Sequence, residues 1–217
     1  MNFSAHIAVA AHLSDPDHDA GWLLGSALPD LAAMGGFRLL GATSDEAVSR
    51  GIGCHHATDR AFHQHRWFTE RNRALRGRLA ELGVARGPAR ACSHVGIELL
   101  LDGELMSRGP TQRHTASAVA AVGPRRQELT SLVPTRPQAW QRHLDLLASR
   151  PLPLDNHDPQ RVALRLHRIL SNRPLLALDE AMVDVVAEAL AEYKPAIDTS
   201  AEEIVTAVAA EVSSPTV

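Results

Sequence analysis

Residues 51–65 read GIGCHHATDRAFHQH, and the reading of this stretch decides the fold class. His55, Asp59 and His63 recur at a spacing of four, the repeat of one face of an α-helix. Packing alone gives no reason to gather His55, His56, His63, His65 and Asp59 so closely. A His/Asp ladder on one helix face places two or three ligand atoms around one metal ion. Ser44 is the expected N-cap, with Asp45 and Glu46 in the first turn. The helix is expected to run to about Leu82, and Gly51, Gly53 and Gly77 weaken it enough to predict two pieces.

The neighbouring segments share this helical character. Residues 3–13 (FSAHIAVAAHL) form an apolar run interrupted by His6 and His12, and residues 14–21 (SDPDHDAG) read as a polar turn. Residues 22–34 (WLLGSALPDLAAM) are a second apolar segment. Pro29 disfavours α geometry at Leu28, so Asp30 is expected at a bend or in the first turn of a new helix. Beyond Gly87-Pro88, residues 89–106 read as a buried helix. Further helices are expected from about Thr115 and over 137–149, 159–171, 178–192 and 200–212, with a loop at PLPLDNHDP and a frayed C-terminal tail.

Alternating β patterns are missing. Aromatic residues are only 4% against 45% hydrophobic residues, so the core is built from Ala, Leu and Val, which favour helices. The expectation is all-α: a single globular multi-helix domain over 1–217. Within it, 1–105 would form the half bearing the metal site, and the C-terminal helices of 106–213 would complete the core.

A net charge of -3 on 217 residues gives no electrostatic case for nucleic acid. The distribution is less even. Seven arginines lie between Arg66 and Arg90 against Glu70 and Glu81, while nine acids lie between Leu176 and Val217 against Lys194 alone. The basic stretch reads either as a solvated helix face or as a surface for an acidic partner or a phosphate. Cys54 and Cys92 make no disulfide framework. No basic leader with a long apolar run is evident, so a cytoplasmic protein without membrane contact is expected. Nothing in the sequence decides the oligomeric state.

Four segments each set a metal-competent side chain in apolar context: His6, Asp30, the His55/Asp59/His63 ladder, and His94/Glu98/Asp102 at i, i+4 and i+8. Each has a plainer reading, as a core histidine, a turn residue, a salt-bridged surface helix or an intrahelical network. Their joint occurrence within 102 residues favours a metal site. Buried charges here need a cation or a partner to offset their desolvation. Imidazole with carboxylate, and no thiolate set, suits Mn, Fe or Zn, with Mg also admissible. Such an ion polarises a phosphoryl oxygen and lowers the pKa of bound water towards about 7. His143, His157 and His167 have no such company and read as surface or packing residues.

MNFSAH at 1–6, GSALPD at 25–30 and GIGCHHATDRAFHQH at 51–65 together resemble the bacterial acyl-carrier-protein phosphodiesterase family, a divergent branch of the all-helical His-Asp metal phosphohydrolases. The match rests on Met1, Asn2, Phe3, Ala5 and His6, on Gly25 and Asp30, and on Gly51, Ile52, His55, Asp59 and His65. Ser26 stands where that family has Asn, and His63 where it has Asp. In a fourth element His94 and Glu98 replace two acids, and Leu99 replaces a His. The Leu-Gly-x-x-x-Pro-Asp pattern of residues 24–30 is also similar to the zinc-dependent phospholipase C group.

The resemblance implies a divalent-metal phosphodiesterase acting on an acidic carrier protein or a small phosphodiester. His6, Asp30, His55, Asp59, His94 and Glu98 would be ligands. His56, Arg60 and His63 would be catalytic groups, with His56 as proton donor or phosphate contact and Arg60 on the phosphate. Two alternatives stand beside it: a nucleotide or phospholipase C-like phosphodiesterase, and a catalytically inactive helical metal-binding or interaction protein.

Overall fold

Phe3–Leu13 forms the first helix, α1, whose residues Phe3, Ile7, Val9 and Ala10 are all fully buried. The computed structural model describes residues 1–14, 19–149 and 156–214. Among these, helix is the regular structure and no strand occurs, so the fold is all-α. The helices are α2 Ala20–Met34, α3 Glu46–Gln64, α4 Arg66–Glu81, α5 Arg86–Ser107, α6 Gly109–Ala120, α7 Arg126–Thr130, α8 Pro137–Ser149, α9 Pro159–Leu170 and α10 Val183–Ser213. A single 3-10 turn, Glu180–Met182, precedes α10. No described helix is long and apolar enough to cross a membrane.

The chain separates into two compact units, each drawn from separate stretches of the sequence. The first gathers α1, α2, α3 as far as Ala61, α6, α7, α8 and the end of α10 from Val205. Here α2 lies against both α1 and α6. Its core joins Phe3, Ile7, Leu23, Leu24, Leu28 and Leu31 to Trp140 and Leu144 of α8. Each such side chain contributes about 1.5–3 kcal/mol by leaving water. The Trp140 indole N–H donates to the Leu129 carbonyl at 2.8 Å, so this large ring is buried without an unsatisfied donor.

The second unit gathers α3 from Phe62, then α4, α5, α9 and α10 as far as Ile204. In it α5 packs on α4 and on α9. Gly96 lets α10 come close, since a Cβ there would stand 2.8 Å from Leu190 Cδ2. At the surface, Arg78 holds Glu192 with Nη2 at 2.8 Å and Nε at 3.0 Å.

Several sequence expectations change. Pro29 does not break α2: the helix runs through it, and Asp30 stands mid-helix rather than at a bend. Pro29 loses one backbone bond and crowds the preceding turn. The burial of Leu24, Ala27, Leu28 and Leu31 on either side holds the helix together. The cap of α3 is Asp45, not Ser44, with its carboxylate accepting from Val48 N at 3.0 Å.

The predicted interruption of the long helix exists, but no glycine causes it. It falls at His65, which is extended (φ -63°, ψ 136°) and caps α4 by accepting from Trp67 N at 3.2 Å. Helix α6 starts at Gly109, ahead of the expected Thr115, with Pro110 in its first turn. The two expected C-terminal helices are one, α10, which runs through Pro195. The expected loop at PLPLDNHDP, the polar turn at 14–21 and the frayed tail fall wholly or partly outside the described residues.

Candidate metal centre

Two glycines set the register that builds the first group of ligands. A Cβ at Gly25 would sit 2.3 Å from the Val48 carbonyl oxygen, and one at Gly51 would sit 2.4 Å from that of Trp22. Only residues without a side chain let α2 and α3 approach this closely. One turn beyond Gly51, His55 is thereby laid against α2, and its Nδ1–H donates to the Ser26 carbonyl at 3.0 Å. With Nδ1 carrying the proton, the lone pair of His55 is on Nε2.

His6 is oriented in the same sense by Thr58. The Thr58 hydroxyl has one hydrogen, and it lies 3.0 Å from the carbonyl oxygens of both Cys54 and His55. With its hydrogen on one of these carbonyls, the hydroxyl oxygen accepts from His6 Nδ1 at 2.7 Å. His6 therefore donates from Nδ1 and carries its lone pair on Nε2. This Nε2 is buried and makes no hydrogen bond. It faces Asp30 Oδ2 and Asp59 Oδ1, each 3.8 Å away.

Burial first, then the neighbouring His55 and the N-terminal ammonium, keep the His6 pKa well below its ordinary value. Burial likewise lowers His55 to about 4, against the opposing hydrogen bond to Ser26. The two rings stand 4.0 Å apart, and both are neutral bases near pH 7. Asp59 also accepts from the Met1 ammonium at 3.2 Å.

A lone pair directed at two carboxylate oxygens is repulsive unless a cation lies between them. The separations fit that arrangement. At 3.8 Å an N···O pair is too long for a hydrogen bond, whereas two atoms each about 2.1 Å from one ion lie roughly 3–4.2 Å apart. The ligand atoms of His6, Asp30 and His55 all fall within 4.8 Å of one another. Histidine ligands ordinarily donate their second ring N–H to a protein acceptor, and here both do. The residues fit a divalent cation, with Asp59 beside the trio.

The second group lies in the other unit. His63 Nε2 is 2.9 Å from Glu98 Oε1 and 3.1 Å from His94 Nε2, and His94 Nε2 is 3.2 Å from Glu98 Oε1. Three donors on one face of an octahedron with bonds of about 2.1 Å are about 3 Å apart. Two histidines and one carboxylate at that spacing could hold a metal ion. Burial works against ionisation of Glu98, yet the hydrogen bonds from His63 and His94 outweigh it and hold the carboxyl well below its usual range.

The expected ladder around a single ion is therefore not what forms. Eight residues of helix rise about 12 Å, more than one coordination sphere spans. His55 joins His6 and Asp30, whereas His63 joins His94 and Glu98. His63, expected as a catalytic group, has the position of a ligand. His56 and Arg60 are exposed, one turn apart on α3, with the His56 ring edge-on to His55 at 5.3 Å. Asp102 is buried and belongs to neither group.

His143 donates to the Leu31 carbonyl at 2.7 Å, and His167 to that of Leu178 at 2.9 Å, so both serve packing. Burial pushes the thiols of Cys54 and Cys92 up to about 11 and about 12, and neither joins a ligand group. Thr58 and the Ser26 carbonyl, which orient the two histidines, have no signature in the sequence beyond their helical distance from His55. In comparisons with protein-family models, curated proteins and solved structures, nothing matches the chain.

Proposed function

We propose that the chain is a metal-dependent phosphoric-diester hydrolase that holds one divalent ion, Mn, Fe or Zn, at each of its two ligand groups. The observation that carries this reading is the buried His6 Nε2 lone pair facing Asp30 and Asp59 at 3.8 Å. The mixed imidazole and carboxylate donors favour an ion suited to hydrolysis over a structural thiolate site. When bound, such an ion polarises a phosphoryl oxygen and acidifies water.

The chain's own residues supply the rest. Thr58 and the Ser26 carbonyl fix the tautomers of His6 and His55. The Asp30 and Asp59 side chains are 26% and 41% exposed, which leaves the group open to a substrate from solvent. Arg60, exposed on the same helix, holds the phosphate, and His56 gives a proton to the leaving oxygen. The order of the three N-terminal motifs, similar to the acyl-carrier-protein phosphodiesterase family, favours a carrier protein bearing 4'-phosphopantetheine as the diester.

Hydrolysis of bis-p-nitrophenyl phosphate by stripped protein reloaded with Mn, Fe or Zn tests the reaction. Release of the prosthetic group from a holo carrier protein, read by intact mass, tests the substrate. Turnover should need the metal and should fall about 100-fold or more in His55→Ala. Turnover that is absent with every ion, or unchanged in His55→Ala, would contradict the reading.

A further inference from the structure

The arginines of the second unit differ in whether an acid holds them. Arg66 is held by Glu70 at 2.6 Å, and Arg78 by Glu192 at 2.8 Å. Arg73 and Arg76 of α4, Arg86 and Arg90 of α5, and Arg173 just after α9 form no ion pair with a carboxylate among the described residues. All five line one cavity of about 1170 Å³, together with His94, and no acid among the described residues lines it. The cavity adjoins a smaller one that shares Arg73, Arg76 and His94 and reaches His63.

Five guanidinium groups lining one concavity repel each other, and no carboxylate among the described residues lines it to relieve them. Arg66 and Arg78 on the same helix α4 do have acid partners, and Arg71 lies over the Trp67 ring at 4.4 Å. The volume is that of a site for a whole small molecule, about 300–1,000 Å³ or somewhat above, and arginine forks match phosphate oxygens two at a time. Five guanidinium forks offer more paired donors than the four oxygens of a single phosphate take up. A flat acidic protein surface would not fill a concavity.

We infer that this arginine-lined cavity binds a small ligand carrying a pyrophosphate-type group, free or as part of a larger molecule. The metal groups are not needed for it, so its test is independent of the hydrolase reading.

The experiment is calorimetric titration of the full chain, stripped of metal, with inorganic pyrophosphate and with inorganic phosphate at about 0.15 M salt. One saturable site for pyrophosphate is expected, with phosphate bound about tenfold more weakly. Arg76→Ala and Arg90→Ala should each weaken pyrophosphate about tenfold or more, while Arg66→Ala stays within about twofold. Thermal unfolding of Arg76→Ala and Arg90→Ala should show no loss of stability, because these side chains are exposed and repel one another. Three results would each overturn the inference: no saturable binding below about 10 mM, equal weakening by Arg66→Ala, or binding of polyglutamate without binding of pyrophosphate.

Discussion

His6 Nδ1 and Thr58 Oγ1 lie 2.7 Å apart, and which of the two donates decides which nitrogen of His6 can bind a metal. With the single Thr58 hydrogen on the carbonyl of Cys54 or His55, each 3.0 Å away, the hydroxyl accepts from His6. Thr58→Val should leave the buried His6 N–H without an acceptor, costing about 1–3 kcal/mol. It should also lower metal affinity about 10–100-fold. Thr58→Ser should retain both properties. Urea unfolding and metal titration of the two variants, side by side, check the claim; equal behaviour of Ser and Val would refute it.

Gly51 and Gly53 lie two residues apart on α3 and should respond in opposite directions to alanine. At Gly51 the new methyl meets the Trp22 carbonyl at 2.4 Å and Gly25 Cα at 2.8 Å, whereas at Gly53 it meets nothing within 4 Å. Gly51→Ala should destabilise by about 1–3 kcal/mol through overpacking. Gly53→Ala should stabilise by up to about 1 kcal/mol through helix propensity. The midpoints of chemical unfolding measure both, and the metal site should weaken only in Gly51→Ala.

All-helical architecture was legible because it rests on local patterns: apolar runs with helical spacing and the lack of alternation. His6, Asp30, His55, His63, His94 and Glu98 stood out in the sequence, and they come together in two groups that could hold a metal ion, while Asp59 falls in neither. Their division into two groups was not legible, because it depends on which helices pack together. Pro29 misled for a related reason: its local rule places Asp30 at a bend, but burial on both sides carries α2 through. The arginine cavity was visible only as charge along α4 and α5. Its concavity needs Arg173, which reaches it through the fold.

Acid should destabilise the metal-free protein over a defined range. His55 has a folded pKa of about 4 and His6 is lowered in the same direction, against about 6.5 when unfolded. The unfolded chain then binds more protons below about pH 6.5. Stability is full above that value and falls as pH drops towards 4, by about 1.4 kcal/mol per unit for each histidine. Unfolding free energies between pH 7 and 4 should follow this slope, and His55→Gln should flatten it by about one proton. An unchanged slope would show that His55 is not buried as a neutral base.

The number of divalent ions bound per chain, measured by equilibrium dialysis and elemental analysis, tests the central claim most directly. The account predicts two ions for the wild type, one for His55→Ala and one for His94→Ala, with every variant still folded by circular dichroism. A wild type that binds no ion, or a His55→Ala variant that binds as many as the wild type, would contradict it.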